Sequence, residues 1–330
     1  MTALNFEKTE GADRELKLTP FDSELWEICR GAYGNVVNDV KLLTGDEKEL
    51  DDWDMALLDR RQCRQGKKED MENIEKIARE NLMEGLMHQM TFYEATYLAM
   101  PYLVHILEKK QDDDVEEQIA YITDMGFLVS TDVPDDTYRD TSGAADETGE
   151  VMENYHLSLL KLQEFTKRFL EKHLEEIKQM GNDTYYKEAF LTAVFAILSS
   201  DRRAAFVFSM SDWGSIYMGC QKCGDCNENI EIDEDEPLEN ICEAGITPAA
   251  SVLGEWDGSS LDNDYLWFSN LLSMAGADRD AELTSYYYGT YKCSECGNTG
   301  LVMDFAKNYY FEEEEGEYED EDDEDDYEEE

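Results

Sequence analysis

The chain has 330 residues and a formal net charge of −51, from 28 basic and 79 acidic residues. This length suggests two or three domains. Hydrophobic residues make up 42% of the chain, which is enough to bury a core and excludes wholesale disorder. Nucleic acids and anionic membranes are unfavoured partners, because proteins bind both through clustered lysine and arginine. The charge favours a basic protein as partner, or no partner.

The sequence contains no recognisable targeting or membrane-spanning segment. Residues 1–20 lack a basic stretch followed by an apolar one, so no secretory signal is visible. The longest largely apolar run, Ala189 to Leu198, is half of the roughly 20 residues that a spanning helix needs. We therefore expect a soluble, cytoplasmic protein.

The first two thirds of the chain carry a helical pattern. Residues 1–19 are polar, and we expect them to form a flexible N-terminal segment. Beyond them, apolar residues recur at spacings of three and four, which predicts a helical domain over residues 20–210. Its main helices are predicted at residues 69–86, 93–108, 115–129, 150–180, 184–199 and 201–209.

The pattern changes after residue 211, where a small mixed domain is predicted over residues 211–308. Three segments are rich in residues that favour strands, namely 215–218, 286–291 and 300–305. A helix is predicted between them, over residues 264–275. We expect the strands of the protein to be confined to this domain.

Residues 309–330 are predicted to form a disordered acidic tail. The stretch from Glu312 to Glu330 holds 16 acidic residues out of 19 and no basic residue, and such a like-charge block cannot collapse. The tail has two interpretations, a solubility device or a flexible electrostatic arm for a basic partner.

The segment from Leu86 to Leu103 contains the pattern His-Gln-x-Thr-x-Tyr-x-Ala-Thr-x-x-Ala-x-Pro-x-Leu. The matching residues are His88, Gln89, Thr91, Tyr93, Ala95, Thr96, Ala99, Pro101 and Leu103. This pattern resembles that of bacterial HEAT-type helical-repeat proteins, in which a glycine often follows the Gln; Met90 stands there in this chain. The resemblance implies an α-solenoid, a stack of helix pairs that presents a surface to a partner. It implies no specific activity.

Two Cys-x-x-Cys-Gly sequences each follow a strand-like segment. They begin at Cys220 and at Cys293. Four thiolates suit tetrahedral zinc, and a glycine after the second cysteine tolerates the positive φ of such a turn. We therefore predict a zinc-ribbon-like module with a structural Zn²⁺ ion, whose ligands are Cys220, Cys223, Cys293 and Cys296.

Other assignments of the cysteines stay open at this point. Two disulfides or free thiols are the alternatives to a metal site, although a reducing cytoplasm disfavours disulfides. Cys223 and Cys226 form a second possible pair, and we favour Cys220 with Cys223 because that frame matches the second pair in form. Three isolated cysteines are interpreted as ordinary thiols, namely Cys29, Cys63 and Cys242.

No catalytic residue is predicted. A site closed by four cysteines leaves no position for a reactive water, so its role is structural. The sequence contains no phosphate-binding loop, dinucleotide fingerprint, zinc-protease motif or serine-hydrolase elbow. Its four histidines are best interpreted as structural residues; they are His88, His105, His156 and His173.

These features favour a protein–protein interaction module. One concrete form is an immunity or antitoxin-type protein that neutralises a basic partner such as a nuclease toxin, since acidic surfaces steer such association. Two alternatives remain. An enzyme with a pocket at the junction of the helical and zinc domains would need convergent polar residues in an apolar cleft. A zinc-ribbon nucleic-acid-associated protein would need a basic patch around Lys222, Lys292 and Lys307.

Overall fold

The architecture is that of a computed structural model of the chain. It describes residues 4–47, 74–112, 114–133, 139–140, 149–180, 184–211, 214–223, 227–232, 238, 241, 245–250 and 256–311. Four features predicted from the sequence lie outside these residues, namely Cys63, Cys226, Cys242 and the acidic stretch from residue 312 onward.

Helices account for most of the described residues. They are α1 (Leu25–Ile28), α2 (Val37–Thr44), α3 (Ile74–Leu86), α4 (Ala95–Lys109), α5 (Val115–Thr131), α6 (Glu150–Gln179), α7 (Thr184–Leu198), α8 (Arg202–Ser211), α9 (Asp264–Met274), α10 (Asp278–Tyr287) and α11 (Val302–Phe311). The mainly helical fold is therefore confirmed. In the described ranges, no helix combines the length and hydropathy that crossing a membrane requires.

Short strands form three small sheets in the same ranges. The strands are β1 (Met87–His88), β2 (Thr91–Tyr93), β3 (Arg139–Asp140), β4 (Ser215–Gly219), β5 (Asn227–Glu231), β6 (Ile246–Thr247), β7 (Thr290–Lys292) and β8 (Thr299–Leu301). The order in the first sheet is β1-β2-β3, with β2 and β3 parallel. The strands β4 and β5 form an antiparallel pair, and β6-β7-β8 form an antiparallel sheet.

The prediction that strands are confined to the region after residue 211 is wrong. The first sheet lies within the helical part, and its hairpin β1–β2 falls on the His-Gln motif. Strands of two or three residues are too short to show the alternation that identifies a strand in sequence. The two central residues of the turn, Gln89 and Met90, both have positive φ, at 54° and 61°.

Two of the predicted strands are partly helical. Tyr286 and Tyr287 close α10, and residues 302–305 open α11, so only the neighbouring residues are extended. The reason is tertiary packing: the Tyr287 ring lies 4.7 Å from the ring of Phe208, and the Phe305 ring lies 4.9 Å from that of Tyr291. Burial of aromatic rings here overrides their preference for strands.

The helical body is held together by the close crossing of α5 and α7. From Phe190 to Leu198 the side chains of α7 are buried, as expected for a nearly all-apolar run. At the crossing, a Cβ added to Gly126 would lie 2.4 Å from the Cβ of Ala193. Only a glycine allows the two helices to approach this closely.

The same core continues into the C-terminal part of the chain. The Phe195 ring lies 4.5 Å from that of Phe268 in α9. Ser199 donates a 2.6 Å hydrogen bond to Asp264, and Lys307 of α11 forms a 2.6 Å ion pair with Asp201. One continuous cluster of buried apolar residues therefore joins the helical body to the small C-terminal sheets.

The N-terminal segment lies along the long helix α6. The backbone N–H of Phe6 donates to Glu171 at 2.6 Å, that of Thr9 to Glu164 at 2.9 Å, and that of Lys17 to Asn154 at 3.1 Å. The sequence predicted a flexible segment here. Its polar composition does not reveal these contacts, because the donors are backbone groups and the acceptors lie more than a hundred residues away.

Candidate metal centre

The first Cys-x-x-Cys pair lies at the end of a buried strand. Cys220 directly follows β4, whose last residue, Gly219, is paired with Asn227 of β5. A Cβ on Gly219 would lie 3.1 Å from the backbone of Tyr309, so α11 packs directly against the strand. This packing fixes the position from which the first pair begins.

The second pair occupies the tight connection between β7 and β8. The N–H of Cys293 donates to the carbonyl of Asn298 at 2.8 Å, and the N–H of Gly297 donates to the carbonyl of Cys293 at 3.0 Å. Gly297 has a φ of 71°, in the left-handed region that favours glycine. The predicted role of the glycine after the second cysteine is thus seen in this turn.

The four sulfur atoms of the two pairs converge. All lie within 4.8 Å of one another. The Sγ atoms of Cys220 and Cys296 are 3.6 Å apart, and those of Cys223 and Cys293 are 3.9 Å apart. A tetrahedral site with metal–sulfur bonds of about 2.3 Å has edges of about 3.8 Å. The cluster has the size of such a site, and each close contact joins one pair to the other.

The same distances exclude disulfides within the cluster. A disulfide requires an S–S distance of about 2.05 Å, and none of the four cysteines forms one. Cys220 and Cys293 are buried, Cys223 is half-buried and Cys296 is exposed. The cluster is therefore buried at Cys220 and Cys293 and reaches the protein surface at Cys296.

The groups around the exposed thiol of Cys296 shift its pKa in opposite directions. A hydrogen bond from the backbone of Asn298 lowers its pKa, but desolvation and the hydrogen bonds with Cys293 and Cys220 raise it, and the pKa is raised on balance. Metal ligation requires thiolates, so a bound ion has to displace protons from this cluster.

Besides the contacts between sulfur atoms, a hydrogen bond joins the two halves of the centre. Ser294, inside the second pair, donates a hydrogen bond to the carboxylate of Glu228 on β5. Nothing in the sequence pattern indicated this contact, since the two residues are 66 positions apart and belong to no motif.

Cys29, the remaining described cysteine, has the surroundings of an ordinary buried thiol, as predicted. Cys29 is fully buried, and burial followed by the charge of Glu94 raises the pKa of its thiol to about 11. Such a thiol is protonated and unreactive at neutral pH. Cys226 lies outside the described residues, so only the pairing of Cys220 with Cys223 can be seen in the structure.

The histidines do not join the centre. His88 follows α3, with its Nδ1 atom 2.9 Å from the Tyr33 hydroxyl and 3.5 Å from Glu84. His173 is buried against the ring of Phe169, at 4.9 Å. Across the described ranges, the four cysteines are the one group of three or more His, Cys, Asp or Glu residues close enough to share an ion.

The lysines near the centre do not all form a patch. Lys222 lies between the cysteines of the first pair, and Lys292 directly precedes Cys293; both are exposed. Lys307 instead pairs with Asp201 of the helical body. Because Lys307 is paired with Asp201, it adds little to the basic patch that a nucleic-acid-binding ribbon would need.

The chain was also compared with known proteins. Protein-family models, curated protein sequences and solved structures give no significant match. The interpretation of the centre therefore rests on its own geometry and chemistry.

Proposed function

We propose that the four cysteines hold one structural Zn²⁺ ion in a zinc-ribbon-like module. The observation that supports this is the convergence of four sulfur atoms at tetrahedral spacing. Soft thiolate ligands in this geometry select zinc or iron, and zinc is the usual ion where the site is structural. Four protein ligands leave no position for a substrate or a water, so the ion stabilises the fold and takes no part in catalysis.

We further propose that the protein is an interaction module with a HEAT-like helical scaffold. The described part of the chain is mainly helical, and the chain carries a net charge of −51. A charge of this size accelerates association with a basic protein and repels acidic ones. An immunity or antitoxin-type protein that neutralises a basic partner is the form of this function that we favour.

The zinc proposal is tested by elemental analysis of the purified protein. We expect one zinc ion per chain and little iron. Replacement of zinc by Co²⁺ should give the visible absorption typical of tetrahedral cobalt with thiolate ligands. A protein that retains iron in place of zinc, or retains no metal after growth with added zinc, would contradict the proposal.

The partner proposal is tested through the products of the genes that flank the gene for this chain. A basic flanking product should co-purify with the chain at low salt, and the association rate should fall steeply with ionic strength. For an immunity function, co-expression of the chain should restore growth to cells that produce the toxic partner. Growth arrest that persists while the chain is soluble and abundant would reject this function.

A further inference from the structure

The cysteine cluster places one exposed sulfur beside a buried one. Cys296 is exposed and Cys220 is buried, and their Sγ atoms are 3.6 Å apart. A disulfide bond is about 2.05 Å long, so the two atoms have to approach by about 1.5 Å to form one. An accessible thiolate with a second thiol beside it is the arrangement of cysteines that peroxides oxidise reversibly.

Contacts outside the sulfur atoms hold the two cysteine pairs together. Ser294, inside the second pair, donates a hydrogen bond to Glu228 on β5. The strand β5 is paired with β4, which ends directly before Cys220. Because these contacts do not involve the sulfur atoms, Cys220 stays within reach of Cys296 after Cys296 has been oxidised.

Access and charge indicate where the cluster is oxidised and by what. Of its four cysteines, Cys296 is the exposed one, so an oxidant from the solvent meets its sulfur first. The net charge of −51 repels anionic oxidants such as glutathione disulfide. Hydrogen peroxide is small and uncharged, so this charge does not hinder its approach.

We propose that Cys296 is a site of oxidation by hydrogen peroxide, and that a disulfide between Cys296 and Cys220 then forms and releases the zinc ion. This inference rests on the proposed zinc site, because it describes how that site is regulated. Two thiolates remain after the disulfide has formed, and a structural zinc ion needs four ligands.

The oxidation proceeds in two balanced steps. In the first, the thiolate of Cys296 attacks peroxide; an S–O bond forms, the O–O bond breaks, hydroxide leaves and Cys296 becomes a sulfenic acid. In the second, the thiolate of Cys220 attacks that sulfur; an S–S bond forms, the S–O bond breaks and a second hydroxide leaves. The solvent supplies a proton to each hydroxide. Two electrons pass from the sulfur atoms to peroxide, which becomes two molecules of water.

The disulfide keeps one connection that the metal made. It joins residues 76 positions apart in the sequence, and it links the end of β4 to the turn between β7 and β8. A cross-link of this span stabilises the fold. The oxidised, zinc-free protein should therefore melt at a higher temperature than protein from which a chelator has removed the zinc under reducing conditions.

The test treats the zinc-loaded full chain with hydrogen peroxide and measures both the released zinc and the disulfides. We expect about one zinc ion per peroxide consumed, and peptide mapping by mass spectrometry should show Cys220 joined to Cys296. Dimedone, which reacts with sulfenic acids, should label Cys296 at least about ten-fold more than Cys220. Dithiothreitol should restore zinc binding. The matched control, Cys226→Ser, should form the same disulfide.

The zinc content before oxidation separates this inference from the proposed function. A chain without zinc would contradict the proposed zinc site, whereas a disulfide of Cys220 with Cys296 in such a chain would still support the pairing. A zinc-loaded chain that keeps its ion in a large excess of peroxide would overturn the inference. Disulfides formed within each Cys-x-x-Cys pair, or a dimedone label found mainly on another cysteine, would overturn it as well.

Discussion

Replacement of Cys293 by serine is the most direct test of the metal centre. An ion shared by Cys220 and Cys293 closes a loop of 73 residues. By the loop-entropy relation for cross-links, closure of such a loop stabilises the fold by about 4 kcal/mol. Unfolding entropy near 60 °C is about 2.1 cal/mol/K per residue, or about 0.7 kcal/mol/K for this chain. The variant should therefore melt about 6 °C lower than the unmodified protein and bind no zinc.

The assay combines metal analysis, thermal unfolding and amide exchange. Exchange should accelerate in β6, β7 and β8, and much less in α6, which has its own buried face. The matched control is Cys63→Ser, which removes a thiol that belongs to neither Cys-x-x-Cys pair. Unchanged zinc content in Cys293→Ser, or the same loss of zinc in the control, would refute the reasoning. Cys226→Ser should keep its zinc if the frame of Cys220 with Cys223 is correct.

The other predictions concern the turn, the helix crossing, the tail and nucleic acid. Gln89→Asn should raise the free energy of unfolding by about 0.5 kcal/mol in urea titrations, because asparagine tolerates positive φ better than glutamine. Gly126→Ala should lower it by about 3 kcal/mol, since the new Cβ would overlap Ala193; a change below 1 kcal/mol would mean that the helices can separate at little cost. Deletion of residues 312–330 should leave the melting temperature within a few degrees of its original value, and a larger fall would identify a docked segment. Gel-shift measurements at moderate salt should show no complex with duplex DNA, and salt-dependent binding would contradict the charge argument.

The sequence predicted the helices well where a long apolar face exists. The helices predicted at residues 150–180 and 184–199 appear with nearly those bounds, except that α6 is kinked at His173, where φ is −116° and ψ is 16°. The helix α10 was not predicted, because its acidic first turn lacks the apolar residues that mark a helix face and its tyrosines favour strands. Local propensity cannot show that Tyr287 has the ring of Phe208 to pack against.

The cysteine cluster was predictable because its signal is local and chemical. Each Cys-x-x-Cys-Gly sequence predicts its own turn, and two such pairs supply the four sulfur ligands of a tetrahedral site, which predicts that the two turns meet. The hairpin in the His-Gln motif was not predicted. Met90 in its turn has a φ of 61°, in the left-handed region that favours glycine, and nothing local in the sequence shows that a methionine adopts it.

The docking of the N-terminal segment on α6 has a consequence for biosynthesis. The Phe6 amide finds its acceptor 165 residues later in the chain, so the segment leaves the ribosome long before its binding site exists. At about 5–20 residues per second, the delay is about 8–33 s. A further contact, from the Asn5 amide to the carbonyl of Gly258, forms later still. The residues of this segment are therefore made well before the site on which they dock, and until that site has formed they are open to nascent-chain proteases and chaperones.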